Sequence, residues 1–115
     1  MAKASNAWLR RQFKRINKEF FGNRLDPNTR VRFGTSKYLG EAGFMEFTMP
    51  GKRKHTRSYP DILINNRLKW SQALSGPTLV HEMVHVENPQ WTKHRGKFDR
   101  RLERLVCQGA MRLWL

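Results

Sequence analysis

The segment from His81 to His85 has the residue types and spacing for metal-dependent chemistry. It reads His-Glu-Met-Val-His, an H-E-x-x-H pattern with two histidines four positions apart. Residues four apart lie one turn above each other on a helix, so both imidazoles can reach a single ion at about 2.0 to 2.1 Å. Glu82 projects from the same turn, where a carboxylate can serve as general base for a metal-activated water. The pattern therefore predicts a zinc site suited to peptide hydrolysis, with Glu82 as the catalytic residue.

A catalytic zinc also needs a third protein ligand and an open position. His94 is the best candidate, because Asn88-Pro89 ends a helix and the following residues can turn the chain back toward the ion. The alternative for His94 is a solvent-exposed residue at the start of the next helix. Glu87 is disfavoured, because a position two residues beyond His85 points away from the same helix face. The other side chains of a suitable type are His55, Asp99 and Glu103.

Three predicted helices and three short strands would position these residues. The first helix begins at Ser5 or Asn6, ends near Gly22, and carries apolar residues at helical spacing: Leu9, Phe13, Ile16 and Phe20. Short β-like segments follow at residues 31–33, 43–49 and 62–64. A second helix starts after residues 75–77, with proline tolerated in its first turn, and carries the H-E-x-x-H pattern.

The third helix begins near His94 or Arg95 and closes the core with one apolar face: Phe98, Leu102, Leu105 and Val106. The expected fold is α+β and zincin-like. A small, mainly antiparallel sheet packs against the N-terminal helix and the H-E-x-x-H helix, which the third helix follows. The length of 115 residues fits one domain, residues 1–115. We expect the tryptophans to lie in the core or at its edge: Trp8, Trp70, Trp91 and Trp114.

The charge of the chain predicts a polyanionic partner. Lys and Arg total 23 against 9 Asp and Glu, a formal net charge of +14, and DNA is the first candidate. The basic run at residues 52–57 would form the tip of a hairpin, with Arg53, Lys54 and Arg57 as candidate DNA contacts. The basic faces of the first and third helices are rivals. Such binding should be independent of sequence and weaken with salt, and single-stranded and duplex DNA both remain open.

The sequence predicts an intracellular protein. No stretch approaches the roughly 18 apolar residues of a membrane span, and the first eleven residues lack the apolar core of a signal peptide. The single cysteine, Cys107, excludes an internal disulfide and a four-cysteine zinc ribbon. We therefore expect the cytoplasm, nucleoid or nucleus as its location, with no membrane partner.

Several motifs together resemble those of the SprT-like zinc metallopeptidases, a family that includes DNA-dependent proteases. Residues 16–17 and 20–25 look like the family's Asn, aromatic-Phe, Gly, Leu signature, and residues 61–65 are similar to its last strand before the catalytic helix. His94 and Phe98 are similar to the family's third-ligand histidine and the aromatic residue four positions on. The family usually has glycine directly after that histidine, whereas this chain has Arg95 and then Gly96.

The resemblance implies zinc on His81, His85 and His94, with Glu82 as the base. The favoured hypothesis is a minimal zinc endopeptidase that acts on DNA-bound or DNA-crosslinked proteins, in DNA–protein crosslink repair. One rival is a non-catalytic basic module that binds nucleic acid and in which zinc is only structural. Another is a metalloprotease whose substrates are unrelated to DNA.

Overall fold

A computed structural model describes residues 3–49 and 55–114. Over these residues it contains three α-helices and a three-stranded sheet: α1 (Asn6–Phe20), β1 (Arg30–Gly34), β2 (Gly40–Met49), β3 (His55–Asn65), α2 (Gln72–Glu87) and α3 (Lys97–Cys107). Short 3-10 turns cover Asn66–Leu68 and Arg112–Trp114. The predicted α+β class is confirmed. In the part of the chain that is described, no helix is both long and apolar enough to cross a membrane.

Helix α1 begins and packs as its sequence predicts. The Ser5 side chain caps it by accepting a hydrogen bond from the Trp8 amide at 3.1 Å. Leu9, Phe13 and Ile16 are buried in the core, since their spacing of three and four places them on one helix face. The basic residues of the helix are left largely on its other faces.

Asn17 joins the end of α1 to the loop that follows it. Its buried side chain donates to the Leu25 carbonyl and accepts from the Leu25 amide, both at 3.1 Å. Its backbone carbonyl accepts from the amides of Phe21 and Asn23. Phe21 is thereby held with its ring fully buried. The Asn, Phe, Gly, Leu pattern thus encodes a hydrogen-bonded turn that leads into β1.

The sheet is mixed, with strand order β1-β3-β2. Strands β2 and β3 form the predicted antiparallel hairpin, but β1 pairs with β3 in parallel, from Arg30 opposite Asp61 to Gly34 opposite Asn65. The prediction of a mainly antiparallel sheet missed this pairing, because strand periodicity does not reveal which neighbour a short strand chooses. Ile62 and Ile64 of the central strand are fully buried in the core.

The predicted hairpin tip is only partly described. Arg53 and Lys54 lie outside the described residues, so their assignment as DNA contacts stays a prediction. The backbone of Arg57 belongs to β3, where it pairs with Phe47. Arg57 therefore lies within the strand ladder and not in the hairpin turn, because β3 is longer than its apolar residues suggested.

Helix α2 begins earlier than predicted. Ser71 caps it by accepting from the Leu74 amide at 3.3 Å, and Pro77 consequently lies inside the helix. Proline in a helix interior removes one backbone hydrogen bond, so the sequence suggested a start closer to it. The inner face of α2 is nonetheless fully buried, including Leu79, Val80 and Met83.

Helix α3 begins later than predicted, at Lys97. Gly96 precedes it with a φ of 62°, a left-handed conformation that glycine adopts at little cost. His94 therefore lies in the segment between α2 and α3 and not at the start of a helix. Phe98 and Leu105 are buried as predicted, whereas Val106 is 48% exposed.

Replacing Asn17 should test the role of the α1 turn. Asn17→Ala leaves the buried Leu25 amide and carbonyl without their side-chain partner, and we expect it to reduce the free energy of unfolding by about 2 kcal/mol. Urea denaturation measures this. Lys14→Ala, an exposed change on the same helix, should shift it by less than about 0.5 kcal/mol. Equal stability of the two variants would contradict the assigned role.

Candidate metal centre

Three histidine side chains converge on one point. His81 and His85 project from α2, and His94 reaches them from the segment before α3. The Nε2 atom of His94 lies 3.2 Å from Nε2 of His81 and 2.8 Å from Nε2 of His85. All three candidate ligand atoms lie within 4.8 Å of one another. The structure thus brings together the three histidines that the sequence singled out.

This arrangement fits a tetrahedral metal ion with nitrogen ligands. At the usual zinc–nitrogen distance of about 2.0 to 2.1 Å, two ligand atoms of a tetrahedron are about 3.3 Å apart. The spacing of His81 and His94 matches this value, and that of His85 and His94 is somewhat shorter. Three imidazoles with room for a further ligand are also a donor set found in catalytic zinc sites.

The turn between α2 and α3 directs His94 back toward α2. The Asn88 amide ends α2 by donating to the Val84 carbonyl, and the Trp91 amide donates to the Asn88 carbonyl at 3.0 Å. Pro89 prevents the helix from continuing. The glycine conformation at residue 96 then turns the chain into α3.

Glu87 anchors this region and is not part of the histidine cluster. Its carboxylate accepts two hydrogen bonds from Arg101, at 2.8 and 3.0 Å, and one from Arg24 at 3.0 Å. The interaction joins the end of α2 to α3 and to the turn after α1. Its position two residues beyond His85 points it away from the histidines. Its ion pairs with Arg101 and Arg24 give it a structural role.

Phe98 forms the floor beneath the three imidazoles. Its ring centroid lies 4.9, 4.4 and 4.9 Å from those of His81, His85 and His94. The side chain is 1% exposed, so its position is fixed by the core. A buried aromatic ring in contact with all three imidazoles restricts their rotation and preorganises the ligand atoms.

Glu82 lies beside the histidine cluster with an unsatisfied carboxylate oxygen. The residue is 4% exposed, and among the described atoms its Oε2 is buried without a hydrogen-bond partner. Its Oε1 is 3.9 Å from Nε2 of His81, too long for a hydrogen bond. Burial, and secondarily the charge of Glu41, raises the pKa of Glu82 to about 7. A buried acceptor of this kind is costly unless it serves a ligand or a reaction.

Burial also lowers the pKa of the two imidazoles on α2. It lowers the pKa of His81 to about 4, with His94 and His85 adding to the effect and Asp99 opposing it. The pKa of His85 is lowered by burial and by His94, while a hydrogen bond to the Trp91 backbone raises it. His81 and Glu82 are therefore both uncharged near pH 5.5, so their 3.9 Å approach is not an ion pair. Neutral imidazole is the form that binds metal.

A cleft of about 1380 Å³ opens over the cluster. One wall is the α2 face with the two histidines and Glu82, and the other is the segment from Ser36 to Phe44, which includes the start of β2. Asn65 holds this second wall, because its side-chain amide donates to the carbonyls of Ser36 and Tyr38 at 3.0 and 2.9 Å. The cleft is large enough for a peptide segment.

Gly40 is a functional position that the sequence analysis did not single out. A Cβ atom at this residue would lie 3.0 Å from Cγ of Glu82 and 3.1 Å from Cγ2 of Thr78. The start of β2 therefore packs directly on the α2 face that carries the candidate base. A glycine at the edge of a β-like segment is a known sign of close backbone approach and could have indicated this contact.

Of the remaining candidate ligands, Asp99 and Glu103 do not join the cluster. Asp99 affects the pKa of His81 but is not among the converging ligand atoms, and Glu103 is exposed. The side chain of His55 lies outside the described residues, as do those of the candidate DNA contacts Arg53, Lys54 and Arg57.

Comparisons with protein-family models, with curated proteins and with solved structures found no match to this chain. The functional assignment therefore depends on the residues and geometry of the site, together with the resemblance in motif spacing.

Removing one ligand should abolish tight metal binding. We expect His94→Ala and His85→Ala to weaken zinc binding by at least about 100-fold, because each leaves only two nitrogen ligands. Competition with a chromophoric chelator measures the affinity. His55→Ala replaces the one histidine outside the cluster and should bind zinc like the wild type, at one ion per chain. A large loss in His55→Ala, or none in His94→Ala, would contradict the assigned ligand set.

The free energy of unfolding of the metal-free protein should depend on pH, and Glu82 should reduce this dependence. Between about pH 4.5 and 6.5 the unfolded chain protonates His81 while the folded chain does not, so this histidine makes stability rise with pH. Over the same range the folded chain protonates Glu82 while the unfolded chain does not, so Glu82 makes stability fall with pH. Glu82→Gln should therefore gain a steeper positive slope, by at most about 1.4 kcal/mol per pH unit.

Urea denaturation in the presence of a chelator, repeated across this pH range, measures the slope. Glu103→Gln is the matched control, because it removes an exposed carboxylate and should leave the slope as in the wild type. If the free energy of unfolding of Glu82→Gln and of wild type had the same slope with pH, burial would not raise the pKa of Glu82 as described.

Proposed function

We propose that this chain is a zinc-dependent endopeptidase of a zincin-like, SprT-like type. The observation that carries the proposal is the convergence of three Nε2 atoms beside a buried carboxylate with an unsatisfied oxygen, at the base of an open cleft. A site that used zinc only to hold two helices together would not need a buried carboxylate at this place. The motif spacing described for His81, Glu82, His85 and His94 supports the same assignment.

The residues of the site suit the hydrolysis of an amide. Zinc in a three-histidine site supplies a Lewis acid that polarises a carbonyl and lowers the pKa of a water molecule toward about 7. His81, His85 and His94 would hold it. Glu82 would accept a proton from the attacking water through its free carboxylate oxygen and then donate that proton to the leaving amine. In the metal-free chain burial raises the pKa of Glu82 to about 7, and the charge of a bound zinc would lower it, which favours the carboxylate form that accepts the proton.

The edge of the sheet can bind an extended peptide. In the described sheet β2 has a neighbour on one side only. The Asn65 amide donates to the Leu39 carbonyl, and the backbone groups of an antiparallel strand alternate in direction, so those of Gly40, Ala42 and Phe44 point away from β3. All three residues line the cleft. Pairing with these groups would hold a substrate by its main chain and leave little selectivity for sequence.

We further propose that the substrates are proteins bound or crosslinked to DNA, in the cytoplasm, nucleoid or nucleus. The support is the net charge of +14 on 115 residues. DNA would act by bringing enzyme and target together, which raises the effective concentration of an otherwise unselective protease. Arg53, Lys54 and Arg57 are the DNA contacts that this hypothesis assigns to the β2–β3 hairpin.

Cleavage of a DNA-binding protein by the zinc-loaded chain tests the proposal. Wild type should cleave it in the presence of DNA, and Glu82→Gln should lower the rate by about 100-fold or more, because the proton acceptor is lost. Glu103→Gln should cleave like the wild type. Product formation is followed by gel electrophoresis and mass spectrometry.

Two results would each contradict one part of the proposal. If wild type and Glu82→Gln were equally inert while both bound zinc and DNA, the chain would be a nucleic-acid-binding module with a structural zinc. If cleavage required Glu82 but did not respond to DNA, the protease assignment would stand and the DNA-bound substrate would be wrong.

A further inference from the structure

Trp70 is exposed, contrary to the expectation that the tryptophans lie in or near the core. The residue is 60% exposed, whereas Trp8 is buried and Trp91 and Trp114 pack partly buried against the core. Trp70 occupies the short turn between the 3-10 turn Asn66–Leu68 and α2. It does not line the cleft. The ring therefore belongs to a separate part of the surface.

A lysine from the other end of the described chain lies over this ring. Nζ of Lys3 is 4.4 Å from the centroid of the Trp70 ring, within cation–π distance. Two hydrogen bonds fix the two segments together. The Ala4 amide donates to the Lys69 carbonyl at 2.7 Å, and the Gln72 side-chain amide donates to the Lys3 carbonyl at 3.0 Å. The pairing of indole and ammonium is thus built on backbone contacts.

The two segments that meet at Trp70 carry positive charge alone. Residues 3–18 contain six lysines and arginines and residues 62–81 contain two, Arg67 and Lys69, with no Asp or Glu in either. The neighbouring Lys69 has its Nζ 5.7 Å from the Phe33 ring centroid, so it also lies against an aromatic face. An exposed aromatic ring beside a lysine, in chain segments that carry no Asp or Glu, is a combination that favours binding of single-stranded nucleic acid.

We propose that Trp70, Lys3 and Lys69 form a contact site for single-stranded nucleic acid. An unpaired base would stack on the exposed indole, while the two ammonium groups neutralise the adjacent phosphates. Duplex DNA offers no free base face to the ring, so the site favours single strands. Arg67, in the 3-10 turn just before Trp70, already lines the cleft. The site therefore adjoins the cleft along the chain but lies outside it.

This inference deepens the DNA part of the proposed function, but the two can fail separately because Trp70 lies outside the cleft. Fluorescence anisotropy with a labelled oligothymidylate gives the affinity. Trp70→Ala should weaken binding by about tenfold through loss of stacking, and Trp70→Phe should retain most of it. Tyr38→Ala is the matched control, because Tyr38 is an aromatic residue with 65% exposure that lies in the cleft wall.

The cationic part is tested by salt dependence. Lys3→Gln with Lys69→Gln should reduce the slope of log affinity against log salt by about 1.4, or about 0.7 for each phosphate contact to a single strand. Trp70→Ala should leave this slope nearly unchanged. Because Trp70 is exposed, we expect Trp70→Ala to fold like the wild type. Matching thermal melts of the two proteins verify this.

Three outcomes would overturn the inference: wild-type affinity of Trp70→Ala for the oligonucleotide, an equal loss for duplex and single strands, or an equal loss in Tyr38→Ala. Cleavage of an unstructured peptide in the absence of DNA measures peptidase activity independently of nucleic-acid binding. Loss of oligonucleotide binding in Trp70→Ala with wild-type peptide cleavage supports the inference. If no variant cleaves anything while Trp70→Ala still loses binding, the nucleic-acid site stands and the protease proposal fails.

Discussion

Three imidazoles from two separate segments must meet at one point. Two of them need only a straight helix, because positions four apart share a face. The third comes from a connecting segment, so its placement depends on everything that fixes this segment. Asn88 and Pro89 end α2, Gly96 redirects the chain, and Phe98 sits beneath all three rings. The ion pairs of Glu87 with Arg101 and Arg24 then tie the turn to the rest of the molecule.

The buried environment that organises the ligands also sets their protonation. The same burial lowers the pKa of His81 and raises that of Glu82, so a proton that water would leave on an imidazole resides on the carboxyl group. In the absence of metal the site thus favours the neutral form of the two α2 imidazoles, the form that could bind a metal ion, and places the exchangeable proton on Glu82. When the H-E-x-x-H pattern lies on a half-buried helix, it thus gives two neighbouring residues different roles: His81 stays neutral and Glu82 carries the proton.

Local signals in the sequence were sufficient for the parts of the fold that local physics decides. The Ser5 cap, the apolar face of α1, the β2–β3 hairpin and the shared helix face of His81 and His85 were predictable, because each depends on short spacings along the chain. His94 was predictable as well, from the helix end at Asn88-Pro89 and the resemblance in motif spacing. The parallel pairing of β1 with β3, the early start of α2 at Ser71 and the exposure of Trp70 were not. The first and the third depend on which distant segment packs alongside, as the Lys69 carbonyl does with the Ala4 amide, and single-residue preferences carry no such information. The start of α2 was predicted too late because Pro77, which lies inside the helix, suggested a start close to it.

The contact between Gly40 and Glu82 has a consequence for the geometry of the cleft. Strand β2 approaches the candidate base so closely here that a Cβ atom at residue 40 would lie 3.0 Å from Cγ of Glu82. Any shift of strand β2 toward α2 would therefore displace the Glu82 side chain. A side chain at residue 40 would require Glu82 and Thr78 to move by a few tenths of an ångström. The position of this cleft wall and that of the Glu82 side chain are thus coupled at residue 40.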